Sequence, residues 1–153
     1  MNHSPTDRPG VLQLDHFWPY QVTVLADRIA RRTTRIVKEH GLNLSQWRVL
    51  AAVAEVPGRT AVEVVRITPM DKGIVSRATR GLLDLDLLRR QASQTDGRLS
   101  HLFLTEAGDA LYKTLAPQVE AIAQGVADTL DAAEQQQLTD TLRELVRIIP
   151  DLR

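Results

Sequence analysis

The chain has 153 residues, 43% hydrophobic and 25% charged, a size at which one domain buries enough apolar surface to fold without disulfides or a structural metal. It contains no cysteine, which excludes a disulfide framework, a thiolate zinc site, an iron–sulfur cluster and a thiol redox switch within it. Nineteen Lys and Arg offset nineteen Asp and Glu, but unevenly: residues 59–104 carry 8 basic groups against 5 acidic ones, and residues 105–153 carry 4 against 9.

No apolar run approaches the roughly 18 residues of a membrane span. The opening MNHSPTDRPG is polar and leads into no signal-type apolar segment. A soluble, cytoplasmic protein is expected. The next run, VLQLDHFWPY, is too aromatic and apolar for a free tail and should pack on something. Pro19 suits a first helical position, and Val22, Leu25, Ile29 and Ile36 then share one helix face. That helix should end at Gly41, in the C′ position after His40. Its other face carries Arg28, Arg31, Arg35 and Lys38 and reads either as a solvated surface or as one turned to phosphate or membrane.

Asn43 with Gln46 has capping-box spacing and opens a second helix, with Trp47, Leu50, Val53 and Ala54 inward. Pro57-Gly58 stops it. Thr60 with Glu63 opens the short helix TAVEVVRI, and Thr68, followed by Pro69 and then Asp71, opens another from Pro69 to about Leu87. Two short helices across a tight capped turn are what a helix-turn-helix requires. On the wheel of the later helix, Val75, Ala78, Leu82 and Leu85 form the buried stripe. Lys72, Gly73, Ser76, Arg77 and Arg80 lie opposite. Small residues permit close approach, cations meet phosphates and guanine edges, and the helix N-terminus favours anions, so this face can enter a major groove. A plain solvated helix would also carry such residues.

After Leu87 the period changes to alternation in LLRRQAS and LSHLFLT, around the turn formers QTDGR. This is a β-hairpin, and a hairpin directly after a helix-turn-helix is a wing. Arg98 at its tip can reach an adjacent minor groove. Thr105 caps the next helix, with Leu111, Leu115, Val119, Ile122 and Val126 on one face; Pro117 inside it predicts a kink or a break. Asp131 with Glu134 opens the last helix, striped by Leu138, Leu142, Leu145 and Ile149. These two amphipathic helices are long for a lone winged helix, which points to an intersubunit core. The expected fold is mainly α with a small β-hairpin wing. Residues 43–104 form a winged helix-turn-helix, flanked by dimerisation helices at 11–40 and 105–153, all in one domain.

No enzyme is read here: P-loop, G-x-S-x-G and H-E-x-x-H patterns are all absent. His3, His16, His40 and His101 are never three or four apart, so neither a metal nor any other cofactor is expected. From Gly41 through Gly108 the chain resembles the MarR (multiple antibiotic resistance regulator) family, in LNLSQWRVLAAVAE, RTAVEVVRIT, MDKGIVSRATRGLLDLDLLRR and TDGRLSHLFLTEAG. The wing D-x-R followed by L-T-x-x-G is the most specific of these pieces. The resemblance implies a homodimer reading a palindromic operator in double-stranded DNA, usually as a repressor released by a small aromatic acid or phenol. It maps DNA contacts onto Lys72, Gly73, Ser76, Arg77, Arg80 and Arg98, with Asp96 bracing Arg98. Gly97 stands where the family often has another arginine, and Ile74 where one branch has a polar β-branched residue.

The resemblance also places an effector pocket between the dimerisation helices and the winged helix. There the chain offers His16, Phe17, Trp18, Tyr20, Trp47 and Arg48, with Arg28 as a further cation. Aromatic walls suit a flat ligand and an Arg fork suits its carboxylate. Trp47 also reads as core, and Arg48 as a solvated side chain. The rival to a DNA reader is a winged helix that binds protein, which would need an apolar patch on its recognition face.

Overall fold

The structure, a computed structural model, describes residues 10–93, 100–127 and 129–151. A 3₁₀ turn at Leu14–His16 leads into α1 (Trp18–Glu39), then α2 (Leu44–Glu55), α3 (Ala61–Ile67) and α4 (Lys72–Asp84). Strands β1 (Leu88–Ala92) and β2 (Ser100–Leu104) come next, and α5 (Glu106–Ala127) and α6 (Ala132–Ile148) close the chain. The mainly helical fold with one antiparallel hairpin is as expected from the sequence.

The capping boxes form as their spacing predicts. Gln46 N–H donates to Asn43 Oδ1 and Asn43 N–H to Gln46 Oε1, both at 2.9 Å. Thr60 and Glu63 do the same for α3, Asp131 and Glu134 for α6. At the end of α1, Gly41 sits at φ +78°. There its N–H reaches the Lys38 carbonyl and the Leu42 N–H reaches Val37, a paired closure that needs the left-handed backbone glycine adopts freely. Val37 and Leu42 both enter the core, so this cap also fixes how the chain turns into α2.

The start of α4 departs from the expectation. The Thr68 hydroxyl donates backward to the Val64 carbonyl at 2.7 Å, and Asp71 Oδ1 accepts from the Ile74 amide at 2.8 Å. Asp71 is therefore the N-cap, and the helix begins at Lys72 rather than Pro69. It also ends earlier, at Asp84; Leu85, assigned to the buried stripe, is 52% exposed, and Thr79 joins Val75, Ala78 and Leu82 inside. Pro117 produces no break: α5 runs through it, although the ring still removes one donor from the helix ladder.

One core joins Val37 and Leu42 to Leu50, Val53, Val64, Met70, Val75, Leu82, Leu88, Leu102 and Leu115. The hairpin contributes its inner face, with Leu88 paired to Leu104 and Arg90 to Leu102. The turn between α2 and α3 is tied to β2 by a single β-bridge. Gly58 N–H donates to the Leu102 carbonyl at 2.8 Å, Leu102 N–H donates to the Arg59 carbonyl at 3.0 Å, and Thr60 bridges His101. Away from this core the apolar faces stay open. Leu25 and Ile29 of α1, Val119 and Ile122 of α5, and Leu138 and Leu142 of α6 border a groove of about 780 Å³. No described residue of α6 is buried. No helix among the described residues is long and apolar enough to cross a membrane.

Candidate nucleic-acid interface

Burial of Val75, Ala78, Thr79 and Leu82 fixes the rotation of α4 and so decides which side chains it presents. Its exposed residues are Lys72, Gly73, Ser76, Arg77, Arg80 and Asp84, five of them those picked from the sequence. None is apolar, which leaves a protein-binding reading without its patch. Ile74 is half-buried against the core, so packing accounts for it. At the helix N-terminus a Cβ on Gly73 would stand 3.2 Å from Asp71 Oδ1 and 3.4 Å from Arg77 Nη1. The Arg77 guanidinium thus folds over the first turn, adding its charge to the positive end of the helix dipole. The Asp71 carboxylate already caps this end, and Arg77 stands beside it clear of the core.

The hairpin is braced beside α3 rather than hanging free. His101 Nδ1 lies 2.7 Å from the Gly58 carbonyl, to which it donates. Arg89 stacks its guanidinium 4.7 Å from the centre of the Phe103 ring. The Glu63 carboxylate in the α3 cap is held below its ordinary range by the Thr60 amide first, then the Thr60 hydroxyl, with His101 and Arg59 assisting and desolvation opposing. Asp96, Gly97 and Arg98 lie outside the described residues.

The effector candidates are not gathered together in this one chain. Trp47 and Arg48 border a shallow, solvent-open cavity of about 430 Å³ between α2, the α3–α4 turn and α5. Trp47 is also core, buried and stacked on Tyr112 with ring centroids 5.8 Å apart and planes 15° from parallel. Arg28 lines the groove of α1, α5 and α6 instead. His16, Trp18 and Tyr20 are exposed around the first turn of α1 and border neither space. Tyr112 and Glu55, which do border the Trp47 cavity, escaped the sequence reading. Glu55 had a signal, since it shares the Arg48, Ala51, Ala52 stripe of α2; Tyr112 had none short of the fold. No group of three or more His, Asp or Glu that could hold a metal ion forms among the described residues.

A sequence model described as MarR family matches residues 40–99. The homoprotocatechuate degradative operon repressor of Escherichia coli is 31% identical over 117 residues, covering 74% of this chain and 76% of that one. A MarR-family transcriptional regulator from Silicibacter pomeroyi superposes with a TM-score of 0.82 at 24% identity, covering 92% and 96% of the two chains. Bordetella bronchiseptica BpsR, whose DNA binding is regulated by 6-hydroxynicotinic acid, superposes with a TM-score of 0.66 at 28% identity, covering 82% and 98%.

Proposed function

The chain belongs to the MarR family of DNA-binding transcriptional regulators, and on that premise we propose that it is a homodimeric repressor that leaves a palindromic operator when a small aromatic acid or phenol binds. The observation that carries the reading is the outer face of α4, small and cationic at its N-terminal end and without an apolar side chain. Lys72, Gly73, Ser76, Arg77 and Arg80 meet base edges and phosphates in the major groove. Arg98 reaches the minor groove from the wing, with Asp96 holding it.

All 153 residues work as one unit in the cytoplasm. The stretch 43–104 reads DNA, while 11–40 and 105–153 pair two copies through the open apolar faces of α1 and α6. Symmetric pairing puts two α4 helices on successive major-groove faces, which is why the operator is a palindrome. The effector enters the Trp47 cavity, where Arg48 holds its carboxylate in a charge-assisted contact. We assign His16, Trp18 and Tyr20, around the first turn of α1, to the same site in the paired molecule.

The test is a gel-shift titration on DNA upstream of the protein's own gene at two salt concentrations. Specific binding that weakens steeply with salt supports the reading; no shift at low salt overturns it. Arg48→Met, tested in the same assay, should bind DNA normally and no longer release it to aromatic acids.

A further inference from the structure

The cavity beside Trp47 is charged at both ends. Arg48, Ala51, Ala52 and Glu55 occupy one stripe of α2, and all four border it. The backbone positions of Arg48 and Glu55 are two helical turns apart, about 10 Å along the axis. The alanines between them add almost no bulk, so the floor is open. Trp47 and Tyr112 supply an aromatic wall. The space is a shallow cleft open to solvent, and its volume of about 430 Å³ leaves room for a single small molecule.

Glu55 is shared. Arg59 Nη1 donates to Glu55 Oε2 at 2.6 Å and to the Ala52 carbonyl at 2.6 Å. The Arg59 side chain is only 15% exposed and Glu55 is 67% exposed. The carbonyl thus keeps Arg59 seated, while the carboxylate, with about four accepting positions, retains capacity toward the cavity. Arg59 in turn carries the backbone oxygen that accepts from Leu102 N–H in β2.

We infer that Glu55 is the specificity-determining residue of this cavity, accepting a hydrogen bond from a hydroxyl at the far end of an aromatic acid whose carboxylate Arg48 holds. The inference rests on reading the cavity as the effector site. A ring acid without the hydroxyl fills the aromatic wall and pairs with Arg48, but brings no donor to Glu55 and so forgoes a charge-assisted hydrogen bond. A second carboxylate at that end would meet like charge. Because the same carboxylate bonds Arg59, an arriving donor acts beside the joint between α2 and the wing strand.

The experiment is calorimetric titration of the full chain with 4-hydroxyphenylacetate and with phenylacetate. Wild type should bind the hydroxylated acid about tenfold more tightly. Glu55→Ala should bring the two within about twofold, by weakening the hydroxylated acid alone. Loss of Arg59 bracing would weaken both acids alike and leave their ratio intact, so an unchanged ratio in Glu55→Ala overturns the inference. Equal binding of the two acids by wild type overturns it as well, and leaves the effector reading standing. Binding of neither acid at millimolar concentration removes the effector reading and this inference with it.

Discussion

Gly108 shows how one missing side chain positions an element. A Cβ there would overlap the Leu87 carbonyl oxygen. That oxygen accepts from Thr105 N–H at 3.2 Å, and Thr105 Oγ1 accepts from Gly108 N–H at 3.0 Å. The oxygen cannot move aside without breaking the cap of α5. Gly108→Ala should therefore lower stability toward the upper end of the roughly 1–3 kcal/mol that overpacking costs, read as a lower urea midpoint. Thr79 poses the opposite problem: its hydroxyl is buried among the α4 core residues with no hydrogen-bond partner. Thr79→Val keeps the shape and removes the stranded group, and should raise the unfolding free energy by about 1 kcal/mol in the same measurement. Neither effect is visible in the sequence. L-T-x-x-G is recognisable as a pattern, but the reason for its glycine is a backbone that arrives from before the hairpin. Tyr112 stays hidden for the same reason, being far from Trp47 along the chain and in contact only once α5 folds over α2.

At the scale of elements, legibility tracks the reach of the interaction. Capping boxes are readable because both partners lie within four residues, as is the glycine closing α1. The beginning of α4 is misread from sequence because Thr68-Pro69 satisfies the same local pattern as Asp71, and only the hydrogen bond from Thr68 to Val64 decides between them. The error leaves the outer face intact, since three residues added at the N-terminus do not rotate the rest of the helix. Arg77 and Arg80 thus remain the predicted readers. Arg77→Ala and Arg80→Ala should each weaken operator binding by about 1–3 kcal/mol if they meet base edges, and relax sequence preference at that position. Anisotropy titrations with operator and scrambled duplexes check this; thermal unfolding should be almost unchanged, because both side chains are exposed. If both variants bind as wild type, α4 is not the reader.

At the scale of the whole molecule, the winged-helix core is complete in one chain and the outer helices are not. Leu138 and Leu142 of α6 face Leu25 and Ile29 of α1 across an open groove, and Val146 and Ile149 are bare. In the proposed dimer these faces pair, so Leu142→Glu should bury a carboxylate between the two copies and yield a monomer in light scattering. Operator affinity should fall with it, because two half-sites are no longer engaged together. A dimer that persists in Leu142→Glu would place the pairing surface elsewhere.

The lack of any buried residue in α6 also bears on the fate of a chain that has found no partner. A solitary 17-residue helix is marginal in water. Its Arg143 and Arg147, each tied only to an exposed acid on the same helix, would then sit in extended backbone that a trypsin-like protease can grip. The proposed pairing would hide that backbone by holding it helical, and would depend on concentration. Surplus or misfolded single chains would be trimmed from this end, while assembled copies survive, so proteolysis would select for the paired form.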